Sequence, residues 1–450
     1  MREQECRSGA AIERAFSAAL ALLNRVAKAA GPVDAMPGVF RRAWKVCNAG
    51  SMFRASDVCL DVSRGRAGWA GQRLRAAALI AITALTGTAA AEESPPPLPA
   101  LNIDIAQTSL SGLSSGGFLA VQFQVAHADI VHGVGIIAGG PYYCAQGQLR
   151  RALQDCMCAD PGKCELDAQS ADVPAAVAYI KKTAAAGLIA DPAPLARQRV
   201  VLLSGAADTV VPPAIADRQL GEFYRALGLP AENLLRPALP PATAHQLPTL
   251  DAGTDCGKQA PPYIGRCGFD SAAAILQGIY GELRPPATEK PANWIAFDQR
   301  PYDPRRQRGV FGISGVHFFP SGLDDSGWLY LPDTCRAGEP CRLHIALHGC
   351  RQGQNYELKN EDGGTQGRFG TLYAKSTGLA RWAETNHIVL LFPQAKSISP
   401  VPYFYAANPL GCWDWWGYSG AGYATRNGVQ IQALKAMVDG LGAGKANQRH

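Results

Sequence analysis

The pentapeptide Gly112-Leu113-Ser114-Ser115-Gly116 constrains this chain more than any other stretch, because it is the only G-x-S-x-G in 450 residues. It lies between "NIDIAQTSL", a strand candidate, and "GFLAVQFQVAHA", whose apolar residues recur at helical spacing. A serine on a tight turn from strand to helix is exposed at the edge of a sheet, and flanking glycines permit the close backbone approach. Small residues are common here and a chance match is the alternative, but this context favours a nucleophile elbow centred on Ser114.

Strand-like and helix-like segments alternate from residue 101 onward. The apolar runs "VHGVGIIAG", "QRVVLLSG" and "HIVLLFPQ" are typical of buried strands, and "RNGVQIQALKAMVDGL" is typical of a helix. Continuous apolar strands that alternate with helices predict an α/β fold with a mostly parallel sheet and helices on both faces. The segment 284–326 is rich in Pro, Gly and Arg and is predicted to form loops over the sheet.

The front of the chain differs in charge from the rest. Residues 1–91 hold 13 Lys and Arg against 6 Asp and Glu, whereas the remainder is close to neutral, so charge gives no support for nucleic-acid binding. Arg73 and Arg75 precede an apolar run over 76–88, and three alanines end at residue 91. This pattern predicts a secretory signal peptide around 70–91. A genuine extension with a buried helix at 76–88 is the alternative.

The predicted organisation follows from that signal. Residues 1–91 are expected to be an N-terminal extension, partly mis-started, that ends in the signal peptide, and 92–450 to be a single catalytic domain. No membrane span and no C-terminal substrate-binding domain are expected. The mature protein is predicted to be exported, to the periplasm or the medium, and to be a monomer.

Ten cysteines follow residue 91: Cys144, Cys156, Cys158, Cys164, Cys256, Cys267, Cys335, Cys341, Cys350 and Cys412. An even number in an exported chain predicts up to five disulfides. Close spacing favours Cys256–Cys267 and Cys335–Cys341, and Cys350 could pair with Cys412, but the sequence leaves the connectivity open. A zinc site in Cys156-x-Cys158-x5-Cys164 is a weak alternative, and no metal or organic cofactor is expected.

The serine needs a base and an acid that orients the base. Asp208 follows a buried strand in "LLSGAADTVVPP", and His245 lies in the loop "PPATAHQLPT". These positions keep the chain order Ser, Asp, His that is typical of this kind of hydrolase. A turn aspartate and the reserve base His317 are the alternatives.

The oxyanion hole is expected to use two backbone N–H groups. One belongs to Ser115, the residue after the nucleophile, and the other normally follows an earlier strand, often at a His-Gly motif. The His-Gly motif that follows a strand candidate, His348-Gly349-Cys350, begins 234 residues after Ser114. The second donor is therefore predicted to be Cys350 N–H, in a circularly permuted α/β-hydrolase fold stabilised by disulfides.

The segments "SGLSSGGFLAVQ", "SGAADTVVPP", "ATAHQLPT", "LHGCRQG" and "CWDWWGYSG" together resemble the extracellular short-chain poly(3-hydroxybutyrate) depolymerases. The resemblance is to the circularly permuted group, whose oxyanion motif follows the serine motif. It implies a serine esterase with the triad Ser114, Asp208 and His245 and with Cys350 at the oxyanion position. Members that attack crystalline polymer usually add a linker and a binding domain, and their absence here favours amorphous polymer or oligomers.

The aromatic stretch "PLGCWDWWGYSG" supplies candidate substrate contacts: Trp413, Trp415, Trp416 and Tyr418. An uncharged polyester of hydroxybutyrate suits an aromatic groove, although these side chains could equally be core. Four further tyrosines are weaker candidates: Tyr142, Tyr143, Tyr403 and Tyr405. The alternative functions are a feruloyl or acetyl-xylan esterase and a non-catalytic polyester-binding protein.

Overall fold

The structure is a computed structural model that describes residues 94–160, 166, 170–307, 319–359, 364–399 and 407–447. All of them belong to the second of two units into which the chain divides, residues 92–450. The signal-peptide prediction for 70–91, the reserve base His317, Cys164, Tyr403 and Tyr405 lie outside the described residues.

The strands are β1 (Thr108–Leu113), β2 (Val131–Ile137), β3 (Arg199–Leu203), β4 (Leu234–Leu235), β5 (Leu247–Thr249), β6 (Thr254–Asp255), β7 (Ile264–Arg266), β8 (Trp294–Asp298), β9 (Ser326–Tyr330), β10 (Arg342–Leu347), β11 (Glu357–Lys359), β12 (Thr365–Arg368) and β13 (Ile388–Phe392). Eight of them form the central sheet in the order β4-β3-β2-β1-β10-β13-β9-β8. The sheet is parallel from β4 to β13, and only the pairings of β9 are antiparallel.

Alternate residues of the central strands enter two separate apolar cores, one on each face of the sheet. In β13, for example, Val389 and Leu391 lie in one core, while Leu390 and Phe392 lie in the other. This is the period-2 alternation of a strand. Because both faces are covered by helices, the strands are apolar throughout, which is the pattern that predicted them.

The helices are α1 (Ser115–Ala126), α2 (Leu149–Arg151), α3 (Val173–Ala185), α4 (Leu220–Ala226), α5 (Ser271–Tyr280), α6 (Pro304–Gln307), α7 (Asp333–Arg336), α8 (Leu372–Ser376), α9 (Leu379–Asn386) and α10 (Val429–Asn447). Side chains of α1, α3, α4 and α10 fill one core, and those of α5, α8 and α9 fill the other. Two π-helical segments, Ala152–Cys156 and Ala214–Gln219, continue α2 and precede α4. A bilayer-spanning helix is not found among the described residues.

The position of β1 confirms the predicted permutation. This strand comes first among the described strands yet lies in the middle of the sheet, between β2 and β10. The strands that precede the nucleophile strand in an unpermuted α/β-hydrolase, here β8, β9, β10 and β13, follow it. Because β10 pairs with β1 in parallel, from Ser109 against His344 to Gly112 against Leu347, both strands end at the same edge.

Two local predictions are wrong. Ile105–Gln107 forms a 3-10 turn, not the start of β1, and Thr108 donates its hydroxyl to Ile105 O at 2.7 Å to close that turn. The segment 284–326 contains a strand as well as loops, because β8 pairs with β9 at the edge of the sheet. The side chains of β8 are mostly only half-buried, so its sequence lacks the apolar run of a central strand.

Candidate active site

Ser114 lies between β1 and α1 in a backbone conformation that non-glycine residues rarely adopt, with φ 54° and ψ −119°. Two backbone bonds hold it there, Ser114 N–H to Ile137 O at 2.9 Å and Phe118 N–H to Ser114 O at 3.0 Å. The side chain is half-buried and lines a cavity. A strained turn of this kind is the geometry of a nucleophile elbow.

The glycines of the motif are required by the close packing of this turn. A Cβ on Gly112 would overlap the backbone of Gly116, and a Cβ on Gly116 would overlap the carbonyl oxygens of Leu347 and His348. The first turn of α1 therefore lies directly against the end of β10. This packing brings Ser114 to the His-Gly motif despite their separation in sequence.

Asp208 is buried in the loop after β3, and both of its carboxylate oxygens accept hydrogen bonds. Oδ1 accepts from Val210 N–H at 2.8 Å and Val211 N–H at 2.9 Å, and Oδ2 lies 2.8 Å from His245 Nδ1. The two backbone donors fix the carboxylate, so the second oxygen has one direction in which to hold the imidazole. The arrangement leaves His245 Nε2 as the ring nitrogen that can act on a hydroxyl.

The loop that carries His245 is anchored on both sides. Ala207 N–H donates to Thr243 O at 3.0 Å, which ties the loop of the acid to the loop of the base. Ala244 N–H donates to Cys256 O at 3.1 Å, and Cys256 forms a disulfide with Cys267. The small sheet β5-β7-β6 begins two residues after His245. His245 is therefore carried by a rigid support.

The loop after β10 supplies the second predicted oxyanion donor. Gly349 and Cys350 line the same cavity as Ser114 and His245. Neither Ser115 N–H nor Cys350 N–H donates to a backbone carbonyl of another described residue. Arg351, at φ 65°, instead donates its N–H to Leu410 O at 2.7 Å. Both N–H groups thus have no backbone acceptor among the described residues, which is what the oxyanion prediction requires.

The cavity has a volume of about 560 Å³ and mostly apolar walls. Beyond the residues above, its apolar lining includes Leu113, Phe118, Leu149, Leu153, Met157, Val210, Pro409, Leu410, Trp415 and Trp416. Leu149 and Leu153 are partly exposed at 52% and 37%, one helical turn apart. An apolar cleft with a few polar groups at one point suits a neutral, largely apolar ligand.

The aromatic candidates divide into two groups. Trp415 and Trp416 line the cavity, and Trp415 stacks on Phe118 with ring centroids 4.1 Å apart. Trp413 and Tyr418 are buried and are not among the lining residues, because Trp413 packs against His348 and Tyr418 donates its hydroxyl to Cys412 O. These two support the loop from behind, which corrects their prediction as substrate contacts.

The weaker tyrosine candidates are also behind the site. Tyr142 is buried and donates its hydroxyl to Ala424 O at 2.8 Å, and Tyr143 stacks on Tyr179. Neither is among the residues that line the cavity.

Four disulfides join described residues: Cys144–Cys156, Cys256–Cys267, Cys335–Cys341 and Cys350–Cys412. The two local pairs predicted from spacing are confirmed, as is the pairing of Cys350 with Cys412. Cys156 is bonded to Cys144 and cannot be a zinc ligand, so the weak zinc alternative is wrong. The Cys350–Cys412 bond connects the loop after β10, which carries the predicted oxyanion donor, to the loop of Trp413.

Two residues at the site, His348 and Gln352, have contacts that the sequence analysis did not assign. His348 Nδ1 lies 2.7 Å from Gly349 O, and Gln352 Oε1 accepts from Gly349 N–H at 2.7 Å. Both belong to the "LHGCRQG" segment, which was the available signal. Their targets are backbone atoms, which a sequence pattern does not reveal.

Two curated proteins are similar to this chain. A poly(3-hydroxybutyrate) depolymerase from Delftia acidovorans is 38% identical over 378 residues, which cover 82% of this chain and 66% of that protein. A polyhydroxybutyrate depolymerase from Talaromyces funiculosus is 30% identical over 378 residues, which cover 81% of this chain and 98% of that protein. The chain thus spans just under two thirds of the first and almost all of the second.

Two solved structures are also similar to this chain. The crystal structure of a PHB depolymerase from Penicillium funiculosum superposes with a TM-score of 0.62 at 30% identity, covering 77% of this chain and 99% of that one. A PHB depolymerase variant complexed with an R3HB trimer matches with the same values. No protein-family model matches the chain.

Proposed function

Since the chain belongs to the poly(3-hydroxybutyrate) depolymerase family, we propose that it is a serine esterase that hydrolyses poly(3-hydroxybutyrate) or its oligomers through an acyl-enzyme. The observation that carries the proposal is that Ser114, His245 and Cys350 line one cavity. Sequence separation alone gives no reason for these three to meet. Their meeting supports a nucleophile, a base and an oxyanion donor in one site.

In the proposed acylation step, His245 Nε2 takes the proton of Ser114 Oγ as that oxygen attacks the ester carbonyl. Asp208 holds His245 Nδ1–H and stabilises the imidazolium that forms. The carbonyl oxygen gains the negative charge, which Ser115 N–H and Cys350 N–H stabilise. Collapse breaks the ester bond, and His245 returns its proton to the leaving alkoxide, which departs as the alcohol end of the polymer.

In the deacylation step, a water molecule takes the place of the alcohol. His245 removes one of its protons, the hydroxide oxygen attacks the acyl carbon, and the same two N–H groups stabilise the second oxyanion. Breaking of the Ser114 ester restores the hydroxyl and releases a hydroxybutyrate acid end. Every proton in the cycle passes through one imidazole, and no cofactor takes part.

The lining of the cavity supports a polyester chain as the substrate. The polymer carries methyl groups and ester carbonyls and no charge along its length, and the cavity is mostly apolar around one polar point. Trp415 and Trp416 form one wall, where the methyl groups would pack. The solved relative complexed with an R3HB trimer supports oligomers of this chemistry as ligands.

Export is part of the proposal. Four disulfides join described residues, and such bonds form and persist in oxidising compartments. A polymer substrate outside the cell would require an enzyme there. Mass spectrometry of the protein from the periplasm and from the medium would test this point, with an N-terminus close to residue 92 expected.

The decisive experiment compares substrates. Purified protein is assayed for clearing of amorphous and crystalline poly(3-hydroxybutyrate) suspensions, for release of acid from an R-3-hydroxybutyrate trimer, and for release of ferulate from ethyl ferulate. We expect clearing of the amorphous suspension and trimer hydrolysis, both absent from the Ser114→Ala variant. Ferulate release without any hydroxybutyrate release would contradict the proposal and favour a carbohydrate esterase.

A further inference from the structure

His348 is completely enclosed at the end of β10, yet both of its ring nitrogens have backbone partners. Nδ1 lies 2.7 Å from Gly349 O, and Ala395 N–H donates to Nε2 at 3.1 Å. The ring also packs against Trp413, with centroids 5.2 Å apart. Both polar atoms of this buried ring are therefore satisfied by the backbone.

The two partners fix the tautomer. An amide N–H can only donate, so Nε2 must carry its lone pair and the ring proton must be on Nδ1. Nδ1–H then donates to Gly349 O, which can only accept. Burial lowers the pKa of His348 to about 4, so the ring stays neutral near pH 7 and keeps this arrangement.

The Gly349 carbonyl belongs to the same peptide unit as Cys350 N–H. A trans peptide is planar, and its C=O and N–H point in opposite directions. Fixing Gly349 O against His348 therefore fixes the direction of Cys350 N–H, away from the ring. The neighbouring peptide is held as well, because Gly349 N–H donates to Gln352 Oε1 at 2.7 Å and Gln352 Nε2 donates to Pro262 O at 3.0 Å.

We propose that His348 is a positioning residue for the oxyanion hole, which holds the Gly349–Cys350 peptide so that its N–H faces the carbonyl oxygen of the substrate. The inference rests on the proposed function in taking Cys350 N–H as an oxyanion donor. His348 touches neither substrate nor reacting atoms. It acts through one peptide plane, and its loss allows that plane to rotate and to withdraw the donor.

The consequence is a defect in the transition state and not in substrate binding. Removing one oxyanion donor costs other serine hydrolases roughly 10²–10³-fold in kcat, and a donor that is free to rotate is expected to cost somewhat less, about 10–100-fold. KM should change little, because the ground-state carbonyl depends less on this N–H than the oxyanion does. Affinity for a tetrahedral adduct should fall with kcat.

The test uses three variants of the full chain, assayed on p-nitrophenyl butyrate and on the R-3-hydroxybutyrate trimer. His348→Leu removes both ring functions. His348→Asn can put an amide N–H near the position of Nδ1, whereas His348→Gln reaches toward the position of Nε2 and lacks the Nδ1 donor. We expect kcat to fall about 10–100-fold in the Leu and Gln variants and to recover to within about fivefold of wild type in the Asn variant.

Butylboronic acid gives an independent readout, because it forms a tetrahedral anionic adduct with the serine and so reports on the oxyanion hole. Its inhibition constant should rise at least about tenfold in the Gln variant, in step with kcat, while KM stays within about twofold. Equal kcat values for the Asn and Gln variants, or unchanged boronate affinity in the Gln variant, would overturn the proposal. If the Leu variant fails to fold, the Asn and Gln pair still decides the question.

Tyr373→Phe is the matched control. Its hydroxyl also makes a buried bond to a backbone carbonyl at the end of β10, Leu347 O at 2.9 Å, but that peptide carries no oxyanion donor. We expect lower thermal stability and unchanged kcat. The p-nitrophenyl ester distinguishes a failure of the proposed function from a failure of the His348 proposal. A wild-type enzyme that is inactive on the trimer would contradict the polyester substrate, but the His348 variants could still be compared on the p-nitrophenyl ester.

Discussion

Two serine–histidine groupings lie along and just after strand β1, and only one of them is at the cavity. At the end of the strand, Ser114 shares the cavity with His245, which is bonded to Asp208. Three to five residues earlier, Ser109 Oγ lies 2.6 Å from His344 Nδ1 and Ser111 Oγ lies 2.8 Å from His344 Nε2. The second grouping is therefore joined by direct serine–histidine hydrogen bonds.

The difference indicates which serine is suited to act as the proposed nucleophile. His344 is completely buried, burial lowers its pKa to about 3, and serine hydroxyls occupy both of its nitrogens. The ring therefore has no carboxylate to stabilise a positive charge and no route for substrate. His245 has a carboxylate on one nitrogen and a cavity beside it. Access and charge stabilisation, more than a short contact, distinguish the candidate active site from the enclosed cluster Ser109–His344–Ser111.

Separate replacement of Ser114 and of Ser111 by alanine tests this comparison most strongly. Ser114→Ala should lower kcat on p-nitrophenyl butyrate by roughly 10⁴–10⁶-fold, because no other hydroxyl can form the acyl-enzyme. Ser111→Ala should leave kcat within about threefold while lowering the free energy of unfolding by about 1–3 kcal/mol, since it leaves His344 Nε2 without its partner. Steady-state kinetics and urea unfolding check both. A large loss of kcat in Ser111→Ala would place that serine in the reaction.

The acid should have the next largest effect. Asp208→Asn keeps the shape of the side chain but removes the charge that holds His245 in the required tautomer, so kcat should fall about 10³–10⁴-fold. Asp270→Asn is the control. Asp270 Oδ1 caps α5 through Ala273 N–H at 2.9 Å and its Oδ2 accepts from Trp382 Nε1 at 3.1 Å, but the residue does not line the cavity, so kcat should not change. A loss below about tenfold in Asp208→Asn would mean that another group orients the imidazole.

The same comparison shows how far the sequence alone could predict the site. Ser114, Asp208 and His245 can be predicted as a triad because each follows a local pattern and their order in the chain is informative. The partners of His344 cannot be predicted in this way, because they depend on the register of β1 against β10, which pairs Ser109 with His344. Neither strand carries a signal that sets this register.

The sequence also does not show which side chains of the aromatic stretch are buried in the core. The sequence "CWDWW" does not distinguish Trp413, which faces the core, from Trp415, which faces the cavity. Asp414 between them accepts backbone N–H groups from Gly417 at 2.7 Å and Ser419 at 2.7 Å, so the loop folds around a buried carboxylate. The direction of each tryptophan follows from that fold and not from a helical or strand period.

Removal of two different disulfides tests whether the backbone at the cavity must be held in place for activity. Replacing Cys350 and Cys412 together by serine frees the loop that carries the proposed oxyanion donor, and kcat should fall about tenfold, because small misplacements of catalytic groups are costly. Replacing Cys335 and Cys341 together should destabilise the fold with no change in kcat, since neither residue lines the cavity. Kinetics below the melting temperature of each variant separate the effects. Equal losses of kcat would mean that the first bond only supports global stability.

A substitution of His344 is expected to have the smallest effect on activity. Its main effect is expected on the way the free energy of unfolding depends on pH. The pKa of His344 is about 3 in the folded protein and 6.5 when exposed, so below pH 6.5 the unfolded chain binds a proton that the native state does not. Stability is therefore complete above pH 6.5 and decreases as the pH falls toward 3, by about 1.4 kcal/mol per pH unit for this one group. His127 and His348, each with a pKa of about 4, should add similar slopes down to that pH.

His344→Gln keeps hydrogen-bonding capacity and removes the titration. Urea unfolding between pH 6.5 and 4 should then show a slope smaller by about 1.4 kcal/mol per pH unit than in wild type, with kcat at pH 7.5 within about threefold. The opposite pattern, an unchanged slope with a large loss of kcat, would show that the enclosed cluster communicates with the cavity. In that case burial would not distinguish the two serine–histidine groupings. The contacts of Ser109 and Ser111 with His344, which the pairing of β1 with β10 creates, would then contribute to catalysis.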